Sequence, residues 1–407
     1  MTISRRGLIA AAAGAAVLPG TRARAQAPTV KIGVLNDQSG PYRDDGGLIS
    51  VMCARLAAQE FAPHGFAVEI VTADHQNKPD VGANIARQWF DRDGVDVILD
   101  LPTSSVALAV SSIGREKNKV VLTSGAGTSA LTSTQCSPNT IQWTYDTYML
   151  SKSTAGSLVK QGGDSWFFIT ADYVFGHSLH DDAAHFVEAG GGRVIGNVAY
   201  PFPGTDDFSS FLVQAKSSGA KVIGFANAGG DALNCVKQAT EFGLPQSGVK
   251  LATLLMQLGE INALGLEVAQ GLFLTESYYW DLNDRTRAWT RRIMAKQPSQ
   301  MPAMTQAGCY SATLHYLRTV AAMGAAAAKA DGAATIARMK AMPTDDDCFG
   351  ACSIRADGRM LAPAYLFQVK SPAESRSKWD LYKLAATTPG PDAYRPLAEG
   401  HCGFVHA

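Results

Sequence analysis

Val30-Lys31-Ile32-Gly33-Val34-Leu35, followed at once by Asn36-Asp37-Gln38-Ser39-Gly40-Pro41-Tyr42, is a short β-branched apolar run that stops in a polar, glycine-containing loop. Such a run, too short for a helix and bounded by turn residues, reads as a buried strand. The same unit recurs along the chain. Ala67 to Thr72, Val95 to Leu99 and Lys119 to Thr123 are further strand candidates, each followed by a helical stretch. One of these helices is clear: Pro79 opens Asp80 to Asp91 as a first-turn proline, and Val81, Ile85, Trp89 and Phe90 share a face until Gly94 ends it. A βαβ series of this kind predicts a parallel sheet.

The pattern pauses from Thr132 to Tyr148, around Pro138, and restarts with strands at Ser165 to Thr170, Gly192 to Val198, Lys221 to Phe225, Val249 to Leu254 and Gly271 to Thr275. Residues 283–341 then read as helical, with an alanine-rich stretch of good helix formers from Ala321 to Ala330. Ala364 to Lys370 and Lys378 to Leu384 form a late strand pair. A chain of 407 residues exceeds what one core supports. The expected fold class is therefore α/β, with two doubly wound, Rossmann-like lobes joined by a hinge of several crossovers. Lobe one is assigned to residues 28–146 and 276–355, lobe two to 147–275 and 356–390, and a C-terminal segment to 391–407.

The first 25 residues read differently. Met1 to Arg6 is short and basic, Gly7 to Leu18 is small or apolar, and Ala23-Arg24-Ala25 matches a small-x-small cleavage site. This predicts a secretory signal, too short in its apolar part to span a bilayer. Ser4-Arg5-Arg6-Gly7-Leu8-Ile9 is similar to a twin-arginine signal, with Leu8 where that motif usually has Phe. The segment holds Arg5, Arg6, Arg22 and Arg24 and no acid, so the remainder is mildly acidic. No basic patch interleaved with aromatics points to nucleic acid or anionic lipid.

Seven cysteines in an exported chain predict one to three disulfides and at least one free thiol. Cys348 with Cys352 is the candidate local bridge and Cys136 with Cys402 the candidate long-range one, although spacing alone does not fix connectivity. A zinc site at Cys348 and Cys352 lacks a second ligand pair nearby. His177, Asp181 and His185, at i, i+4, i+8, read either as a metal face or as a solvated helix surface; no metal or cofactor is expected.

Open α/β sheets bind ligands at the carboxyl ends of their strands. There lie the loop at Asn36 to Tyr42, Leu101-Pro102-Thr103-Ser104-Ser105, and Ser124-Gly125-Ala126-Gly127-Thr128. Hydroxyls and free amides at helix starts suit an uncharged or carboxylate-bearing ligand. Gly125-x-Gly127-x-x-Ala130, with Asp146 downstream, also fits a dinucleotide fingerprint, but Pro138 interrupts the helix that motif requires. No G-x-S-x-G, H-E-x-x-H or activated cysteine is present, so no enzyme activity is expected.

KIGVLNDQSGPY (Lys31 to Tyr42), TSSVALAV (Thr103 to Val110), TSGAGTSALT (Thr123 to Thr132), ITADYVFG (Ile169 to Gly176) and AGGDALNCVKQATEFG (Ala228 to Gly243) together resemble the periplasmic branched-chain amino acid (Leu/Ile/Val)-type substrate-binding proteins of ABC transporters. The resemblance spans essentially the whole chain after the signal and implies the type I periplasmic binding protein fold with three crossovers. It implies a periplasmic protein that captures a small molecule by hinge closure and presents it to an ABC permease, or a receptor of the same fold; with no internal repeat or coiled-coil seam in the sequence, a monomer is expected. By this likeness Ser104, Ser105, Ala126 and Thr128 hold a ligand carboxylate. Phe175, Asn227, Ala228 and Met256 close from lobe two. Met256 stands where amino acid binders place the acid that holds the ligand ammonium, so the ligand is expected to carry a carboxylate without an amine. An aromatic acid is favoured, its ring sandwiched among Tyr42, Tyr173, Phe175, Tyr278, Tyr279 and Trp280; alternatively Tyr278 to Trp280 are core. Asp231 or Glu260 would restore an amino acid ligand.

Overall fold

The computed structural model describes residues 27–61 and 65–405; the expected signal at residues 1–25 lies outside them. Five parallel strands form the first sheet: β1 (Thr29–Asn36), β2 (Ala67–Asp74), β3 (Val97–Asp100), β4 (Val120–Thr123) and β5 (Thr140–Gln142), in the order β2-β1-β3-β4-β5. Helices α1 (Gly47–Glu60), α2 (Pro79–Gln88) and α3 (Ser104–Glu116) link the first four strands. In β1, Val30, Ile32 and Val34 point into one core while Leu35 enters the other, as strand alternation requires. Gly33 has no side chain because the Trp89 ring occupies the place: a Cβ there would lie 2.4 Å from it. After α2 the chain widens into a π turn, Trp89–Asp93, and Gly94 ends it in the left-handed region at φ 69°.

The chain then crosses to a second sheet of seven strands. Helix α4 (Thr147–Lys160) leads to β6 (Ser165–Ala171), α5 (Val174–Ala189), β7 (Arg193–Tyr200), α6 (Ser209–Ser217), β8 (Val222–Ala226), α7 (Gly229–Glu241), β9 (Lys250–Thr253), α8 (Leu258–Leu264), α9 (Leu266–Ala269) and β10 (Phe273–Glu276). It returns to the first unit as α10 (Asp284–Met294), α11 (Met304–Met323), α12 (Ala325–Ala330) and α13 (Gly332–Ala341); α11 packs on α1 and β3, and α13 on β4. A small hairpin, β11 (Thr344–Asp346) and β12 (Gly350–Cys352), precedes the last crossing. Then β13 (Ala364–Val369) and β14 (Tyr382–Thr388) add antiparallel strands to the second sheet, ordered β14-β13-β10-β9-β8-β6-β7, before the short α14 (Gly390–Ala393).

Three segments thus connect the lobes: Gln142 to Thr147, Glu276 to Asn283, and Ser353 to Pro363. Two are stitched together, since Gln142 N–H donates to Gly358 O at 2.9 Å and Met360 N–H to Gln142 O at 3.0 Å. Fully buried Arg359 stands between them, donating to Tyr145 O at 2.9 Å, with Asp146 Oδ2 at 3.8 Å.

The structure corrects several expectations. The expected helical block is broken between α10 and α11 and again at Gly324 and Asp331, and the pause before residue 148 contains the short strand β5. The last strand starts at Tyr382, not Lys378, because Trp379 O in the preceding loop accepts from Trp280 Nε1 at 2.8 Å. Cys136 and Cys402 are joined in a disulfide. Cys348 and Cys352 remain free. Their hairpin turns on Asp346, whose carboxylate accepts the Cys348 and Phe349 N–H groups, and this buries Cys348 in the core while Cys352 lies on β12. No described helix is long and apolar enough to cross a membrane.

Candidate functional site

The site starts with a carboxylate that is itself structural. Asp37 follows β1 directly and accepts the N–H groups of Gly40 at 2.7 Å and Tyr42 at 2.8 Å and the side chain of Asn77 at 2.6 Å; Thr103, which immediately precedes α3, donates to Asn77 Oδ1. One acid thus fixes the loops after β1, β2 and β3 and presents Tyr42 toward the other lobe. Asp100, at the end of β3, serves the next pair: it accepts from Asn36 Nδ2 at 2.9 Å and Ser124 Oγ at 2.8 Å, although burial raises its pKa.

Tyr42 meets lobe two through its ring and hydroxyl. Its hydroxyl is hydrogen-bonded to that of Tyr173, just after β6, and Phe202 stacks on Tyr173 with ring centroids 4.3 Å apart and on Tyr42 at 5.7 Å. Beside it the backbone also crosses, Gly230 N–H donating to Pro41 O at 3.1 Å. Gly229, at the start of α7, has φ +61°, and a Cβ there would lie 2.5 Å from Pro41 O and 2.8 Å from the Tyr42 ring. Only glycine permits this approach.

Behind these contacts lies a narrow cavity, partly open to solvent, lined by Tyr42, Asp45, Pro102, Gly125, Tyr145, Tyr173, Phe175, Ala228, Leu255 and Thr305. It is thin, with room for about one water-sized sphere, so a ring-sized molecule enters only when the lobes part. Four of its ten lining residues are aromatic, and no Lys or Arg is among them. The Tyr145 hydroxyl donates to Gly125 O at 2.7 Å. Asp45 is 7 % exposed and meets the carboxyl of Glu260 from α8. Burial first, and then each other's proximity, hold Asp45 well above the usual carboxylate range, and burial raises Glu260 as well. Glu260 also accepts the Gln257 N–H at 2.6 Å, capping α8.

The sequence candidates divide. Tyr42, Tyr173, Phe175 and Ala228 meet at the cavity with Gly125 and Pro102. Ser104 and Thr128 stand behind that wall: Ser104 Oγ accepts the Thr128 N–H at 3.2 Å, and the Thr128 hydroxyl bonds Ser178 of α5 at 2.9 Å, a cross-lobe contact. The Ala126 carbonyl is taken by Gln142 Nε2 at 2.9 Å. Ser105 is half-buried in the first turn of α3 and does not line the cavity. Buried Asn227 bonds Cys235 Sγ. Met256 is a correction, because it is fully buried in the lobe-two core and its neighbour Leu255 reaches the cavity. Tyr278 and Tyr279 are core, and Asp231 accepts from Tyr200 at 2.7 Å away from the lining.

Sequence reasoning missed Tyr145, Thr305 and Leu255, which come from a crossover, the start of α11 and the turn after β9; it also missed Asp45, three residues beyond Tyr42. No cluster of His, Cys, Asp and Glu among the described residues is arranged for a metal: His177 pairs with Asp172 at 2.9 Å, and Asp181 with His180 at 2.9 Å.

Two α/β units, three crossovers and a narrow cavity between the lobes match a known architecture. The model of the periplasmic binding proteins matches residues 29–376. The chain belongs to this family. A periplasmic binding protein from Burkholderia mallei is 43% identical, with 93% of this chain and 99% of that one covered and a TM-score of 0.89. A branched-chain amino acid ABC transporter periplasmic ligand-binding protein from Burkholderia xenovorans is 36% identical, covering 92% and 99%, with a TM-score of 0.81. A solute-binding protein of an ABC transporter from R. palustris, in complex with benzoate, shares the fold at 21% identity, covering 89% and 97%, with a TM-score of 0.79. No curated protein is significantly similar. This binding protein has the type I fold, and it is a substrate-binding protein of the branched-chain amino acid type for an ABC transporter.

Proposed function

We propose that the protein works outside the cytoplasm, as a monomer, and captures a small organic carboxylate, preferentially an aromatic acid, which it presents to the permease after hinge closure. The observation that carries this reading is the aromatic lining by Tyr42, Tyr145, Tyr173 and Phe175, backed by Phe202. Offset or edge contacts with a flat ring are worth about 0.5 to 1.5 kcal/mol each beyond area. With no Lys or Arg among the lining residues, a carboxylate would rely on the hydroxyls and backbone groups of the lining itself, Tyr42, Tyr173 and Thr305 among them, since Ser104 and Ser105 at the first turn of α3 stand outside it. Closure then desolvates both partners.

Asp45 favours a second reading. A buried carboxyl on the lining, beside Glu260 and without a cationic partner, suits the ammonium of an amino acid, from lobe one as well as lobe two. A thermal-shift series on protein refolded to strip bound ligand separates the two. Ligand at 100 times Kd stabilises by about 2.7 kcal/mol. Shifts with benzoates and none with leucine, valine or phenylalanine support the aromatic acid; the reverse overturns it in favour of the amino acid.

A further inference from the structure

Beyond the three crossovers, the chain passes the hinge once more. β14 ends at Thr388, still paired with Ala364 in the lobe-two sheet. The next residues lie on the hinge. Lys152 of α4 donates to Asp392 O at 2.5 Å, and Tyr394, 1 % exposed, donates its hydroxyl to Thr144 O at 3.3 Å. Arg395 donates to Asp182 of α5 at 2.5 Å, lies 4.7 Å over the Tyr148 ring, and offers its carbonyl to Arg355 at 2.8 Å. Asp182 accepts in turn from Thr147 at 2.7 Å and from Ser129 of lobe one at 3.1 Å. The chain then reaches lobe one, where Cys402 is bonded to Cys136, between β4 and β5, and Phe404 lies under Arg115 of α3 at 5.8 Å.

We propose that residues 389–405 form a strap, a fourth and covalently fastened crossing of the hinge, that limits how far the cleft opens. Rotating the lobes apart would have to lengthen the path between the Arg395 clasp on Asp182 and the fixed end at Cys402. The seven residues from Pro396 to Cys402 span at most about 25 Å when fully extended. Three crossovers without a disulfide-fastened strap would bend more freely. The strap stands on connectivity and contacts outside the ligand cavity, so it does not depend on which ligand is bound.

Small-angle scattering of ligand-free protein tests it. Cys402→Ser and Cys136→Ser should each give a larger radius of gyration than wild type while circular dichroism is unchanged, and Arg395→Ala, which keeps the disulfide, a smaller increase. Should the cysteine variants fold poorly, folded wild type treated with dithiothreitol serves instead; the reagent is oxidised to its cyclic disulfide as Cys136 and Cys402 become thiols. An increase on reduction supports the strap. A radius of gyration unchanged by the variants, or by verified reduction of the bond, overturns it.

Discussion

Tyr42 and Tyr173 join hydroxyls across the cleft, one from each lobe, with Phe202 stacked against both rings. Each ring brings apolar surface to the cavity wall, and the hydrogen bond adds a direction that only the closed arrangement satisfies. Burial raises both phenols' pKa, so both remain protonated at neutral pH. Tyr173→Phe deletes this bond and keeps the stack. A net hydrogen bond of about 1 kcal/mol predicts a roughly fivefold rise in Kd, measured by titration calorimetry with the ligand that gives the largest thermal shift.

Gly229 makes a sharper prediction. A methyl group there would meet Pro41 O at 2.5 Å and the Tyr42 ring at 2.8 Å, at a positive φ that side chains disfavour. Because Pro41 and Tyr42 belong to the opposite lobe, Gly229→Ala should hold the lobes apart. Affinity is expected to fall at least tenfold, about 1.4 kcal/mol. Calorimetry reads the loss, and scattering of the ligand-saturated variant should show a larger molecule than ligand-saturated wild type.

The meeting of Asp45 with Glu260 predicts a pH dependence. Burial and mutual proximity raise the pKa of Asp45, with Asp44 and Glu276 adding negative charge nearby, so the closed state holds a proton that the separated carboxyls release. Groups whose pKa is raised on folding contribute stability that is complete below the unfolded value, near 4, and is lost as pH rises through the folded one. Affinity for a ligand without an amine should therefore fall as pH rises above about 4 and through the raised folded pKa, by at most about tenfold per pH unit, and Glu260→Gln should flatten the curve. An ammonium ligand would replace the proton, and its affinity would not fall in that window.

Arg359 carries the stability prediction. It is fully buried, donates to the Tyr145 and Met360 carbonyls at 2.9 Å, and lies 4.5 Å over the Tyr394 ring. Burial pushes Asp146 up to about 6, while Arg359 draws it down. Breaking a buried pair by removing one partner costs about 3 to 5 kcal/mol. Arg359→Leu should lower stability by that amount in urea titration, and near pH 5 the deficit should shrink, because Asp146 can then be neutral.

The fold was legible where apolar runs and breakers coincide. Val30 to Leu35 alternates between two cores, and Pro79 and Gly94 bracket α2 and its terminal π turn. β5 escaped because Thr140-Ile141-Gln142 is three residues long with a single large apolar side chain. At the site, residues directly after strands were legible: Tyr42, Tyr173 and Ala228 follow β1, β6 and β8. Met256 shows the limit, since a one-residue offset separates the cavity from the core and Leu255 takes the cavity side. Tyr145 and Thr305 sit on segments that reach the cleft only through the crossovers, so no local pattern marks them; Asp45 had a signal, a carboxylate in the loop of Tyr42.

The packing of α11 on α1 and β3 has a temporal consequence. A ribosome makes β1 to β5 first, then the strands of the second sheet as far as β10, and only afterwards the helix that packs on β3 and α1. Until then that face of the early sheet has α1 against it but lacks the helix that completes its core. The first lobe can therefore complete its core only after most of the chain has been made.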